Sequence, residues 1–182
     1  MDTVALFGGS FDPPHIGHEA VVKALNALEW IDKVVVMPTF LNPFKLKFYA
    51  PAPLRVKWLR EAFSGYAKVE ISEFEVNQQK KVPTIQSVLY LLKTYKKVFV
   101  VIGADNISSL QKWYRYDELK NLATFIVVSR DDVEIPSEFL RLDVREDISS
   151  TALRDNMDLD KLPKKCSQEI FKYYKEINCK KE

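Results

Sequence analysis

The chain has few cysteines and no long apolar run. Its 182 residues contain two cysteines, Cys166 and Cys179, thirteen positions apart. Because both fall in one helical pattern, about 20 Å of helix would separate them, which is beyond the reach of a disulfide. The apolar runs are far too short to cross a bilayer, and no basic leader follows Met1. These features predict a soluble, cytoplasmic protein with reduced cysteines.

Excess charge of one sign is also lacking. The formal net charge is +2 at pH 7, the lysines are scattered, and no long basic arm is present. Binding of nucleic acid would favour a basic patch or stripe, so neither nucleic acid nor a membrane is an expected partner. No cluster of acidic residues indicates a protein-built metal site. We therefore expect a nucleotide as the ligand. The sequence leaves open whether the protein forms a homo-oligomer.

The pattern of apolar residues indicates the fold class. With 47% hydrophobic residues the chain can bury one sizeable core. Strand and helix patterns alternate, which is typical of a parallel sheet covered by helices on both faces. We predict an α/β fold with a single Rossmann-like, doubly wound parallel sheet in one domain (1–182), on which a C-terminal helical part (about 148–182) packs. Predicted strands lie at 4–7, 33–37, 69–71, 98–102, 125–128 and 140–144, and predicted helices at 19–28, 54–63, 84–95, 117–122 and 163–177.

Histidine and glycine are scarce, yet they are concentrated in one stretch. Both histidines and three of the five glycines lie between Gly8 and His18, after the first predicted strand. A strand that leads through two glycines into a helix leaves backbone N–H groups and a positive helix terminus facing an anion. His15 and His18, three residues apart, would share one face near the helix start. The stretch predicts a phosphate site, although its spacing fits neither a dinucleotide-binding G-x-G-x-x-G nor a Walker A loop. The alternative is a tight turn with two satisfied histidines.

A second candidate phosphate site lies in the segment 148–154. Ser150 and Thr151 stand at a predicted helix start, and Arg154 follows one turn later, where its guanidinium can hold a phosphate bidentately. A plain Ser/Thr cap is the alternative. Since ligands of open parallel sheets bind beyond the carboxyl ends of the strands, we expect this segment to meet Gly8-Gly9, the loop 39–47 and Gly103-Ala104-Asp105 at one edge.

These motifs resemble those of a known superfamily. The run His15-Ile16-Gly17-His18 resembles the signature of the HxGH nucleotidyltransferases, and 148–154 is similar to the Ile-Ser-Ser-Thr-x-x-Arg signature of the same enzymes. Over nearly its whole length the chain resembles the bacterial nicotinate-nucleotide adenylyltransferase family. The most specific support is the block 102–105 followed by Trp113 and its neighbours.

The resemblance implies transfer of the adenylyl group of ATP, with Mg²⁺ bound through the ATP, to nicotinate mononucleotide. The products would be deamido-NAD, an intermediate of NAD biosynthesis, and pyrophosphate. It implies three catalytic residues, His15, His18 and Arg154. The implied ATP-binding residues are Gly8, Gly9, Ser10, Phe11, His15, His18, Gly103, Asp105, Ser150, Thr151 and Arg154. The implied acceptor-binding residues are Lys45, Thr84, Ile85, Asp105, Trp113 and Tyr114, with the indole of Trp113 stacked on the pyridine ring.

Some positions depart from the family pattern. Phe44 stands where the family often has a histidine before the lysine, and the segment 83–87 retains Thr84 but lacks the family's acid. Arg55, Lys57 and Arg60 recur on one predicted helix, and we interpret them as a solvated face rather than a phosphate patch. Three alternative functions remain: transfer to nicotinamide mononucleotide, transfer to phosphopantetheine, and a non-catalytic ATP-binding regulator.

Overall fold

The sheet contains six strands. The computed structural model describes residues 2–129, 134–144 and 148–179. The strands are β1 (Thr3–Gly9), β2 (Lys33–Pro38), β3 (Val69–Ile71), β4 (Lys97–Gly103), β5 (Ala123–Ser129) and β6 (Leu140–Asp143). They are ordered β3-β2-β1-β4-β5-β6, and every neighbouring pair is parallel.

Helices connect these strands. They are α1 (Ile16–Ala27), α2 (Ala52–Phe63), α3 (Phe74–Asn77), α4 (Thr84–Leu91), α5 (Tyr116–Leu122), α6 (Ser150–Asp155) and α7 (Ser167–Cys179), with 3-10 helices at Ala104–Lys112 and Leu159–Lys161. Within the described ranges, none of the helices is long and apolar enough to cross a membrane.

The core has two layers because side chains of a strand alternate between the faces of the sheet. Ala5 and Phe7 of β1 pack in a cluster with residues of α1, α2 and α7. Val4 and Leu6 pack in the opposite cluster with residues of α4 and α5. Helices therefore cover both faces, which confirms the predicted doubly wound α/β fold. Five buried residues of the C-terminal part join the first cluster: Leu153, Leu162, Cys166, Ile170 and Tyr174. Its last three residues, 180–182, lie outside the described part of the chain.

Several predicted boundaries differ from those in the structure. The helix predicted at 84–95 ends at Leu91, after which Thr94 and Tyr95 both donate to the Leu91 carbonyl and turn the chain toward β4. The short helix α3 was not predicted. The last helix begins at Ser167 rather than at 163, so that Cys166 precedes it. Both cysteines are free, as predicted.

The order of the strands determines where a ligand can bind. β1 lies between β2 and β4, and the chain leaves these two central strands, β1 and β4, toward opposite sides of the sheet. A crevice opens at such a switch point, beyond the carboxyl ends of the strands. Gly8-Gly9 ends β1 and Gly103 ends β4, so both glycine motifs border the crevice.

Candidate active site

The turn after β1 is shaped by a close approach between Gly9 and Phe11. Phe11 adopts a positive φ of 48°, and its ring is 1% exposed. A Cβ atom at Gly9 would lie 3.2 Å from this ring, so a larger residue here would force the ring to shift. Because the Phe11 side chain is committed to the core, only its backbone remains for a ligand.

The two histidines are in contact at the start of α1. His15 is the N-cap residue, and its backbone N–H donates to Nδ1 of His18 at 3.2 Å. Their rings stack with centroids 3.6 Å apart. Because Nδ1 of His18 accepts this bond, a neutral His18 ring carries its proton on Nε2. His15 is 1% exposed, whereas His18 is half-buried. The predicted shared position of the two rings is therefore present.

The second motif packs directly on the first, although about 140 residues separate them. Ser150 Oγ donates to the Pro13 carbonyl at 2.9 Å, and the Arg154 guanidinium donates to the Asp12 carbonyl and, at 3.0 Å, to Thr151 Oγ1. Ser149, not Ser150, caps α6, since its Oγ accepts from the Ala152 N–H. The guanidinium lies 4.4 Å from the ring centroid of Tyr49. Arg154 is thus oriented by its neighbours before any ligand binds.

Asp12 connects three segments, and the sequence analysis did not identify it. Its carboxylate is 3% exposed and accepts from the backbone N–H groups of Tyr49, at 2.7 Å, and Ala50, at 2.9 Å. It also accepts from the Tyr174 hydroxyl on α7. The available signal was one acidic residue in an otherwise uncharged stretch, where Pro13 and Pro14 have no N–H for it to bind locally.

The prediction that Arg55 lies on a solvated helix face is wrong. Its side chain is 1% exposed and donates to the carbonyls of Ala50, Ser10 and Phe40, at 2.9, 2.6 and 3.0 Å. The turn after β1 and the loop after β2 both reach α2, so three carbonyls converge on this guanidinium. Burial lowers the pKa of Arg55, and the negative charge of Asp12 partly opposes this shift.

The other two basic residues of α2 do lie on an exposed face. There they pair with acidic side chains: Lys57 with Glu169 and Arg60 with Glu73. This part of the interpretation agrees with the structure.

A cavity of about 300 Å³ lies at the switch point. Six of the predicted site residues line it: Gly8, Gly9, Thr84, Gly103, Trp113 and Tyr114. The other predicted residues lie elsewhere. Ile85 is fully buried in the core behind the cavity, and Asp105 is exposed, with its Oδ1 accepting from Asn106 Nδ2 at 3.3 Å.

Lys45 lies in a shallow depression beside the cavity. The depression also contains Ser10 and Asp12, and Thr39 lines both. Burial, and then the nearby charge of Arg154, lower the pKa of Lys45. The two signature motifs and the cavity are thus neighbours, and Lys45 lies between them.

Three polar atoms of cavity-lining residues are buried and have no hydrogen-bond partner among the described residues. They are Thr39 Oγ1, Glu75 Oε2 and Trp113 Nε1. Glu75 carries no motif and was not predicted as a site residue. Burial raises the pKa of its carboxyl group to about 7.

Within 2–129, 134–144 and 148–179, no group of three or more His, Cys, Asp or Glu side chains could hold a metal ion. The site instead offers hydrogen-bond donors and cations at one end and a largely apolar cavity with an aromatic wall at the other. The first end is suited to phosphates, and the second to a flat ring.

Comparisons with known proteins agree with this geometry. The cytidylyltransferase-like family matches residues 6–156. A curated protein of Sulfurimonas denitrificans, named "Probable nicotinate-nucleotide adenylyltransferase", is 61% identical over 182 residues, which is all of both chains. A protein of the same name from Campylobacter fetus is 45% identical over 179 residues and covers 97% of this chain and 99% of its own.

Solved structures show the same fold at low identity. The nicotinic acid mononucleotide adenylyltransferase of Plasmodium falciparum, complexed with NaAD, is 19% identical with a TM-score of 0.76, over 98% of this chain and 97% of that one. The same enzyme complexed with APC has a TM-score of 0.75 at 18% identity, over 98% and 96%. From its sequence matches, the chain belongs to the cytidylyltransferase-like family and, within it, to the nicotinate-nucleotide adenylyltransferases.

Proposed function

We propose that this protein transfers the adenylyl group of ATP to nicotinate mononucleotide, forming deamido-NAD and pyrophosphate in NAD biosynthesis. The observation that carries the proposal is the contact between the two signature motifs, where Ser150 and Arg154 donate to the carbonyls of Pro13 and Asp12. This contact brings the donors of both motifs together beside a cavity with an aromatic wall. The full-length relatives carry the name of the same activity.

The reaction needs no general base from the protein. A phosphate monoester has a second pKa near ~6, so the acceptor phosphate is largely dianionic at neutral pH. One of its oxygens attacks the α-phosphorus of ATP in line, a new P–O bond forms, and the bond to the bridging oxygen of pyrophosphate breaks. Catalysis is then positioning and neutralisation of negative charge.

The donors divide along the triphosphate. We assign the α- and β-phosphates to His15 and His18, where His18 donates through Nε2–H, with the backbone of Ser10 and Phe11 beside them. Thr151 and Arg154 take the outer phosphates. Mg²⁺ is expected to enter with ATP, held by phosphate oxygens and water, and it supplies charge neutralisation there.

The acceptor binds at the other end. The indole of Trp113 stacks on the pyridine ring, where dispersion and attraction between the cationic ring and the aromatic face act together. Lys45 lies in the depression that also contains Asp12, next to the cavity, which suits a contact to the acceptor phosphate. Because ATP is abundant in the cytoplasm, we expect the enzyme to act there.

The test is a direct assay. Pure protein is incubated with ATP, Mg²⁺ and, in turn, nicotinate mononucleotide, nicotinamide mononucleotide and phosphopantetheine, while pyrophosphate release and product mass are followed. We expect nicotinate mononucleotide to react fastest. If nicotinamide mononucleotide or phosphopantetheine reacts fastest, that compound replaces nicotinate mononucleotide as the proposed acceptor. ATP binding without pyrophosphate release from any of them would replace the proposal with a non-catalytic regulator.

A further inference from the structure

Glu75 is a buried acid in the cavity wall, and nothing in the proposed reaction uses it. It lies on α3, is 5% exposed and lines the cavity with Thr84 and Trp113. A buried carboxyl group with an unsatisfied oxygen costs free energy unless it is protonated or finds a partner. Its presence in the cavity wall points to a hydrogen-bond partner on the ligand.

The orientation of this carboxyl group is fixed by α4. Ser87 is fully buried, and its Oγ donates to Oε1 of Glu75 at 2.6 Å. The second oxygen, Oε2, has no partner in the described part of the chain. Because the Ser87 hydroxyl already donates to Oε1, a proton on the neutral carboxyl group belongs on Oε2. Glu75 then carries, in the cavity wall, an O–H donor with no acceptor among the described residues.

The surroundings favour the neutral form near pH 7. Burial raises the pKa of Glu75 to about 7, and the hydrogen bond from Ser87 opposes this rise without cancelling it. The other charged or titratable side chains of the cavity are Lys112 and Tyr114, both exposed. Much of the remaining wall is apolar and includes Val82 and Pro83. At pH below about 7 Glu75 is therefore a hydrogen-bond donor, and above it an anion.

We propose that Glu75 is a specificity-determining residue that donates its Oε2–H to the carboxylate of the nicotinate ring. This step rests on the proposed function, since it needs a pyridine mononucleotide on Trp113. The acceptor's carboxylate has only acceptor oxygens, and a charge-assisted bond is roughly twice as strong as a neutral one. An amide in the same place must also find partners for its N–H₂ group against an apolar wall.

The proposal links acceptor choice to a proton. Two carboxyl groups in contact hold one proton tightly, because each disfavours ionisation of the other. When nicotinate mononucleotide binds above pH 7, Glu75 must therefore take up a proton, whereas below pH 7 it already has one. Nicotinamide mononucleotide has the same ribose and phosphate and requires no such uptake. Because both mononucleotides carry the same phosphate, titration of that phosphate cancels when the two acceptors are compared.

The first measurement is the ratio of kcat/KM for nicotinate mononucleotide to that for nicotinamide mononucleotide at several pH values. For a group with a pKa of about 7, the ratio should fall about tenfold between pH 6 and pH 8. The second is calorimetric binding at pH 8 in buffers of different ionisation enthalpy, which counts protons. We expect uptake of up to one proton with the acid and none with the amide.

Two variants separate this role from a structural one. Glu75→Gln keeps a donor but cannot titrate, so the ratio should become independent of pH and the proton uptake should vanish. Ser87→Ala removes the bond that lowers the pKa of Glu75, so the fall of the ratio should move to higher pH. The matched control is Glu73→Gln, an exposed acid two residues away that pairs with Arg60. It should retain the wild-type profile.

Each contrary outcome points to a different error. A wild-type ratio that does not change with pH, or one that changes equally in Glu75→Gln, overturns the role of Glu75. A Glu75→Gln variant with equal losses for both mononucleotides at every pH would mean that Glu75 contacts the shared ribose or phosphate. Absence of adenylyl transfer to both mononucleotides would instead overturn the proposed function. The calorimetric proton count needs only binding of the nucleotide, so it tests Glu75 without turnover.

Discussion

The two ends of the crevice differ in how far their polar groups are satisfied before a ligand arrives. At the phosphate end, Asp12 accepts three hydrogen bonds and Arg154 is held by Asp12 and Thr151. At the acceptor end, Glu75 Oε2 and Trp113 Nε1 are buried and have no partner in the part of the chain that the structure describes. Exposed apolar side chains, among them Tyr114 at 63%, line the same cavity.

This difference corresponds to two tasks. A transition state with developing charge is stabilised best by donors that need no reorganisation during the reaction, and the bonded network at the phosphate end supplies them. Discrimination between acceptors instead requires groups that are satisfied only by the right ligand, because a wrong one leaves them unpaired. The phosphate end should therefore respond to mutation through stability and turnover, and the acceptor end through substrate preference.

The largest effect is expected from Asp12→Ala. The change leaves two backbone N–H groups and the Tyr174 hydroxyl unpaired in a buried place, beside Arg55. Removal of one partner from such a network costs roughly 3 to 5 kcal/mol of the free energy of unfolding. Urea or thermal denaturation measures it. Asp117→Ala, which removes an acid with a side chain 94% exposed, is the control and should stay within about 0.5 kcal/mol. Equal stability of the two variants would show that the Asp12 network is dispensable.

His18 tests turnover at the same end. His18→Ala should lower kcat by at least about 10²-fold, the loss seen when one charge-stabilising donor is removed. His18→Asn is the sharper variant, because its side-chain oxygen can still accept from the His15 N–H while the donor at Nε2 is absent. We expect it to melt near the wild type and to be as slow as His18→Ala. Near-native kcat in a folded variant would remove His18 from the catalytic set.

Arg154→Ala should act on ATP. Loss of a charged donor to phosphate is worth about 1.5 to 3 kcal/mol, so the KM for ATP should rise roughly 10- to 100-fold, with a smaller change for the acceptor. Steady-state kinetics with each substrate varied in turn gives both values. Arg60→Ala, at an exposed ion pair with Glu73, should leave both KM values unchanged. A larger rise for the acceptor than for ATP would move Arg154 to the other end of the site.

The motifs at both ends were predictable from the sequence, and the buried charged residues beside them were not. Gly8 to His18 and Ser150 to Arg154 are contiguous stretches with informative spacing, and alternation of strand and helix placed them at one edge. Arg55 was misjudged because its partners are backbone carbonyls of the turn after β1 and of the loop after β2, which no periodicity reveals. Glu75 was missed because α3 has only four residues, and because burial, not a motif, makes this acid unusual.

The smallest effect is expected at Trp113, for which a stacking role and a packing role predict different results. The indole lines the cavity, is half-buried, and has its centroid 6.4 Å from that of Phe125 in an edge contact. Stacking on a pyridinium is worth about 0.5 to 2 kcal/mol. Trp113→Ala should accordingly raise the KM for nicotinate mononucleotide several-fold or more, while the KM for ATP stays within about twofold. Trp113→Phe should fall between.

A pure packing role for Trp113 gives a different result. Truncation of a buried core tryptophan costs roughly 3 to 5 kcal/mol of stability and would weaken both substrates together. Thermal melts combined with the two KM values separate these cases, because stacking changes one KM with little change in Tm. A large fall in Tm with parallel changes in both KM values would assign Trp113 to the core. The acceptor end would then depend on Glu75 and Thr84 rather than on an aromatic wall.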